Sequence, residues 1–339
     1  MEEAIQGFPP SKQIRLQYYL AASIAFICLA NLILLGFARE KFPLETSLLA
    51  AFLCLDSYLA LFILLGHGSV QLFLQQHARR HNRFVLLFLL ALFIPYLVYA
   101  FGTRSFSSLS TLKLLLYIAL PTFVCSTTRT PSGYSKWQDA AAVLLLWLPI
   151  DFRLLRDVWP WPHGLMAYSL NSLAATSLGV FLFVGVRNLD QVGYQFHFSL
   201  EDWGVALRNF LLFAPLAIII GFVTGFISIA ERFATPWELA VSAIGIFVLI
   251  AIPEELLFRG IIQNLMSRVI PSSFWSLLLS SLLFGASHLN NGPGLDWRYF
   301  LLATIAGLFY GDAYRMTRKL ISPAILHALV DVTWRGFFR

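Results

Sequence analysis

Eleven stretches of almost uninterrupted apolar residues follow one another along this chain, at about 16–38, 44–66, 84–101, 112–126, 138–151, 164–186, 205–229, 238–265, 274–288, 298–313 and 322–338. A bilayer core about 30 Å thick is crossed by roughly 20 apolar residues in α-helix. Lipid holds no water to satisfy open strand edges, so stretches of this kind have to be helical. The expected fold is all-α, a polytopic transmembrane helix bundle of about 10–11 spans. The fourth and fifth stretches are short and interrupted by Pro121 and Pro149, which predicts tilted or re-entrant segments there.

Charge is correspondingly scarce. Only 12% of the 339 residues are Asp, Glu, Lys or Arg, against about 25% in ordinary soluble domains. That balance excludes a soluble globular protein. The net charge of +6 is not gathered into a basic stripe interleaved with exposed aromatics, so nucleic acid is not an expected partner. The lipid bilayer, with its anionic headgroups, is. With alternating spans, the dense clusters Arg79-Arg80-His81-Asn82-Arg83 and Arg315 through Lys319 fall on one side with Lys12 and Arg15. The expected placement is a multi-pass protein of the plasma membrane with a cytoplasmic N-terminus. The first stretch is too long for a signal-peptide core and reads as an uncleaved span. Trp159, Trp161, Trp203, Trp237 and Trp297 read as interface anchors near span ends. Cys28, Cys54 and Cys125 lack paired spacing and read as small packing residues.

The longest polar break, about 187–204, divides the chain into an accessory transmembrane bundle (1–189) and a functional domain (190–339). Ser199 is placed to cap a helix starting at Leu200, with Asp202 in its first turn.

Clusters of catalytic-type titratable groups inside apolar runs are confined to the second part. A charge at membrane depth costs about 2.5 kcal/mol or more, so several together need a compensating role. Pro253-Glu254-Glu255 through Arg259-Gly260 holds three of them. On a helix Glu255 and Arg259 share a face and neutralise each other. Glu254, about 100° around the helix, is left free to act. His288 ends the run Phe284-Gly285-Ala286-Ser287 ahead of a breaker at Asn290 through Gly294. His327 and Asp331 are again one turn apart, so Asp331 either orients the imidazole or, if protonated, joins it in donating to an oxyanion. Taken singly, each cluster also reads as a polar packing contact. Glu254, His288 and His327 together also make a zinc-type donor set, although the HExxH spacing is absent. Asp56, the isolated acid of the second stretch, is expected to pair with His67 or Arg83. Gly221/Gly225 and Gly307/Gly311 have the spacing that lets helices pack closely.

Glu254-Glu255-xxx-Arg259, Phe284-xxx-His288 and His327-xxx-Asp331 resemble, in order and context, the three motifs of the CPBP family, the CAAX proteases and bacteriocin-processing enzymes also called Abi or Rce1-like intramembrane proteases. The resemblance covers roughly residues 200–339. It implies an intramembrane endopeptidase acting on a membrane-embedded or lipidated protein, prenylated CAAX proteins among the candidates. It implies Glu254 as general base, His288 as its partner, and His327 with Asp331 as oxyanion stabilisers. Glu255, Arg259 and Phe284 would support the site. No metal cofactor is then expected, with zinc as the alternative. Asp331 stands where many relatives carry Asn, and an ionised carboxylate would repel an oxyanion. Two other readings stay open: a non-catalytic scaffold or immunity factor, and a proton-coupled transporter, for which no internal repeat is visible.

Overall fold

The computed structural model describes residues 15–39, 45–127, 136–291 and 294–339. Lys12, Gly292 and Pro293, used above, lie outside them. The described residues form helices and no strand; one isolated antiparallel bridge joins Ile229 to Phe338. Among them, seven helices are long and apolar enough to cross a membrane. The chain is an all-α, multi-pass integral membrane protein.

Two compact units divide the chain, Met1–Pro131 with Ala140–Gln191, and Ser132–Asp139 with Val192–Arg339. The first contains α1 (Leu16–Arg39), α2 (Thr46–Leu64), α3 (Gly68–Ala78), α4 (Asn82–Gly102), α5 (Ser108–Ser126), most of α6 (Trp137–Asp151) and α7 (Ala167–Val186). Helix α3 arises where the sequence reads as a polar break; the His67 side chain caps it by accepting from the Ser69 amide at 3.2 Å. Ser107 starts α5 earlier than the apolar run suggests, and Pro121 lies inside one continuous 19-residue helix. Asp56 accepts from Asn31 of α1 at 2.9 Å. The expected His67 or Arg83 pairing gives way because α1, adjacent in sequence, packs on α2. Trp159 is fully buried, hydrogen-bonded to Asn171 at 2.7 Å and edge-on to Tyr58, Tyr96 and Tyr99, so it is a core residue and not an interface anchor. Cys54 and Cys125 are buried and Cys28 is exposed, all as free thiols.

The second unit is a bundle of α8 (Leu200–Val223), α9 (Pro236–Val269), α10 (Ser273–Ser287), α11 (Trp297–Thr317) and α12 (Ile321–Phe337). Ser199 and Asp202 form a reciprocal cap at the start of α8, as the sequence predicts. The buried Asp202 carboxylate also accepts from Ser322 at 2.9 Å and pairs with Lys319 at 3.2 Å, which ties α8 to the start of α12. Gly193 fixes the same corner. Its φ of +75° and a backbone neighbour 2.7 Å from where a Cβ would sit admit only glycine, and its carbonyl accepts from the Leu320 amide at 3.0 Å. At the opposite end, Ser228, Ala230 and Ala234 bond backbone to backbone with Arg339, Phe337 and Gly336, strapping the chain end to the segment after α8.

The expected glycine packing holds on α11 and fails on α8. A Cβ on Gly307 would meet Ser281 at 3.0 Å, and one on Gly311 would overlap Leu277, so both glycines receive α10. Gly225 instead lies past the end of α8 with φ +65°, where it terminates the helix. Gly221 faces Ile227 of the same turn, not a second helix.

Candidate active site

Helix α9 spans 34 residues, about 50 Å at helical rise, longer than a bilayer core is thick. Thr235 and Glu238 cap it reciprocally. Its middle is not regular: wide π-type turns run over Phe247–Ala251 and Leu256–Gln263, on either side of Ile252–Glu255. Pro253 has no N–H to offer the Leu249 carbonyl one turn back, so the ladder is interrupted where the two glutamates begin. Turns of this kind gather at functional sites because they re-aim side chains.

They do so here. Glu255 and Arg259 are fully buried, with Arg259 Nε donating to Glu255 Oε2 at 3.1 Å. The other Glu255 oxygen lies 2.8 Å from Nδ1 of the buried His327 of α12. Glu255 therefore does more than neutralise Arg259: it links α9 to α12 and sets the orientation of the imidazole. Sequence spacing left Asp331 either that orienting role or a donor role toward an oxyanion; Asp331 Oδ1 is 3.9 Å from the other nitrogen, Nε2, beyond hydrogen-bond range. Glu254 Oε2 lies 3.8 Å from the same Nε2. The two glutamates were expected to serve separate faces. His327 enters between them from α12, and neighbouring residues on α9 thereby reach opposite edges of one ring.

His288 terminates α10, as its position before the breaker predicts, and its Nδ1 lies 2.8 Å from the Phe284 carbonyl. Phe284 stands between the two imidazoles, its ring centre 4.6 Å from His288 and 5.8 Å from His327. Glu254 interacts electrostatically with His327, His288 and Asp331. In both histidines Nδ1 is engaged, which leaves Nε2 as the atom available for chemistry. The arrangement thus brings all seven sequence-predicted residues into one region of the second unit.

A cavity of about 90 Å³ opens against this cluster. Phe284, His288, His327 and Asp331 line its polar end; Phe210, Phe213 and Ile218 of α8, with Trp334 and Phe338, form an apolar wall. A volume of that size holds several waters. Two further residues belong to the site. Tyr310 is stacked on His327 at 4.7 Å and 17°, and Tyr299 lies 5.0 Å from His288; both line the cavity. Tyr310 was detectable in principle, since Gly307 and Gly311 mark its face as closely packed. Nothing near Tyr299 in the sequence marks it.

Behind the site, Arg259 Nη1 and Nη2 have no hydrogen-bond partner among the described residues. They lie where α11 carries no side chain, 3.2 and 3.3 Å from the positions that Cβ atoms on Gly311 and Gly307 would take. The guanidinium also sits 5.2 Å from the centre of the Phe284 ring. Among the described residues no three His, Cys, Asp or Glu side chains converge as a metal-ligand set.

The comparisons with known proteins point to the same segment. The profile of the Type II CAAX prenyl endopeptidase Rce1-like family matches residues 236–333, which contain all three motifs. These residues are similar to that family. The family is one of CAAX-type proteases, and the match covers 98 of 339 residues (236 to 333 inclusive). The chain is also 24% identical over 172 residues to the uncharacterized protein YpbD of Bacillus subtilis (strain 168), covering 50% of this chain and 85% of that protein. No solved structure matches the chain.

Proposed function

We propose that the Rce1-like segment is an intramembrane endopeptidase that hydrolyses a peptide bond of a membrane-embedded or lipidated protein. The observation that carries this reading is the placement of Glu254 and Asp331 on the Nε2 side of a His327 ring whose Nδ1 is held by Glu255, beside a cavity large enough for water. Glu254, with His288 nearby, takes a proton from water as its oxygen attacks the scissile carbonyl carbon. The carbonyl oxygen becomes an oxyanion. His327 Nε2 donates to it when the ring carries both protons, and Tyr310 holds the ring by stacking. Collapse breaks the C–N bond, and the proton held by Glu254 passes to the leaving nitrogen, giving a carboxylic acid and an amine.

The apolar wall of α8, Trp334 and Phe338 suits a substrate that approaches with a lipid group or apolar side chains. The family name makes prenylated CAAX proteins the first substrates to try. No step uses a metal, so none is assigned as cofactor. The working site is in the plasma membrane, with the N-terminus of the chain in the cytoplasm.

The test is cleavage of membrane-anchored reporter peptides, prenylated and unprenylated, by purified protein before and after chelation and dialysis. Cleavage that survives chelation and vanishes in Glu254→Gln is expected. Loss on chelation with rescue by stoichiometric zinc would replace the glutamate mechanism. Full cleavage by Glu254→Gln would leave a non-catalytic scaffold as the better reading.

A further inference from the structure

The first unit contains a second cavity, far more polar than the one at the candidate active site. It measures about 370 Å³ and is lined by Gln75, Gln76, Arg79, Arg80 and Asn188, with no carboxylate in its lining. Gln75 and Gln76 belong to the last turn of α3, Arg79 and Arg80 follow it directly, and Asn188 follows the end of α7 with φ +52°. Among the described residues, the side chains of Arg80, Gln75, Gln76 and Asn188 have no hydrogen-bond or ion-pair partner. Five side chains rich in N–H donors thus face one concavity beside two helices of membrane-crossing character, α4 and α7.

The surface next to it is of the opposite kind. Leu72 and Phe73 are exposed on α3. Leu72 and Gln76 are one turn apart on the same face of α3. An apolar strip therefore runs directly into a donor-lined pocket. That sequence of surfaces matches a phospholipid: acyl chain along Leu72 and Phe73, phosphate among the arginines and glutamines. The end of a helix disfavours an anion, so binding depends on Arg79 and Arg80 outweighing it. Arginine suits the task because its planar fork bonds phosphate oxygens in pairs.

We propose that this pocket is a binding site for the headgroup phosphate of an anionic phospholipid. It lies outside the Rce1-like match and is independent of any proteolytic activity.

The experiment is thermal unfolding of the full chain in phosphatidylcholine micelles titrated with short-chain phosphatidylglycerol, short-chain phosphatidylcholine or inorganic phosphate. Phosphatidylglycerol should raise Tm saturably, and the other two should not at equal concentration. In R79Q/R80Q the apparent Kd for phosphatidylglycerol should weaken roughly 30-fold, about fivefold per arginine. In R83Q, which keeps the pocket but removes a neighbouring cation, it should change by less than about threefold. Q76A, which changes no charge and suits a helix, should weaken binding about fivefold and serves if the double variant does not fold. Equal binding by wild type and both pocket variants would overturn the site. So would R83Q losing as much as R79Q/R80Q, which would reveal diffuse charge attraction only. A Tm rise with inorganic phosphate equal to that with phosphatidylglycerol would make it a free-phosphate site and would also overturn the proposal.

Discussion

The two units bury polar groups in different ways. In the first, three buried tyrosine hydroxyls donate to backbone carbonyls: Tyr58 to Leu92 at 2.7 Å, Tyr99 to Trp161 at 2.7 Å and Tyr117 to Leu146 at 3.0 Å. These bonds join segments distant in sequence and satisfy the three hydroxyls, as membrane interiors demand of polar side chains. In the second, the buried groups are charged and face one another. Arg259, Glu255, His327, Glu254 and Asp331 form a chain of contacts, of which His327 and Asp331 border a cavity. Burying charge this way is expensive unless every member is paired. On the proposed mechanism, the difference separates polar groups used as fasteners from polar groups kept for chemistry.

The sharpest break of that comparison comes from Glu254. Glu254→Gln keeps volume and shape but cannot accept a proton, and general-base losses are typically about 10²–10⁴-fold. We expect peptide cleavage to fall by at least about 10²-fold with Tm unchanged. A variant that cleaves normally would place Glu254 among the fasteners.

Glu255→Gln attacks the same cluster from behind. The substitution strands a fully buried Arg259 without counter-charge, and breaking such a pair costs about 3–5 kcal/mol. Here the expected readout is a large drop in Tm in detergent, accompanied by loss of activity because His327 is no longer held by a carboxylate. If Tm stays within a degree or two, Arg259 is satisfied by other means and the charged core is less costly than argued.

In the first unit the corresponding test is mild. Tyr58→Phe removes one buried hydrogen bond to a carbonyl, which costs about 1 kcal/mol. A small fall in Tm with unchanged cleavage is expected. A loss of activity without a loss of stability would show that this unit takes part in chemistry, and the division between the two would fail.

The helical architecture was legible because lipid leaves a chain so few options: apolar length alone dictates a helix. Helix starts were legible where a side chain caps them, as at Ser199 with Asp202. The residues of the candidate site were legible as a set because charge is conspicuous in apolar sequence. Their pairings were not. Spacing one turn apart offered Asp331 as an orienter of His327 or as a second donor, yet the carboxylate bonded to the ring is that of Glu255, 72 residues away in sequence and 2.8 Å away in space. Helix periodicity describes contacts along one helix and is silent on what enters from a neighbour. The same limit hid the widened turns of α9, the stacking of Tyr310 on His327, and the burial of Trp159, which composition alone places at an interface. Asp56 shows it again, since its partner Asn31 carries no charge for a pairing argument to find.

Asp331→Asn is the finest test, because it asks which kind of polar group Asp331 is. Its carboxylate lies 3.9 Å from His327 Nε2, too far to orient the ring, and lines the cavity. If it serves as a donor toward the oxyanion, only its protonated form works, and Asn supplies an N–H of similar reach at every pH. The variant should then cleave within about threefold of wild type, or faster, and Tm should hardly move. Asp331→Ala, which removes the donor altogether, should lose on the order of 10²-fold in kcat with little change in KM, as expected of a contact made mainly in the transition state. The opposite order, with Asn as poor as Ala, would mean that the negative charge itself is needed. Asp331 would then work by keeping the imidazole of His327 doubly protonated, and the oxyanion would be held by His327 alone.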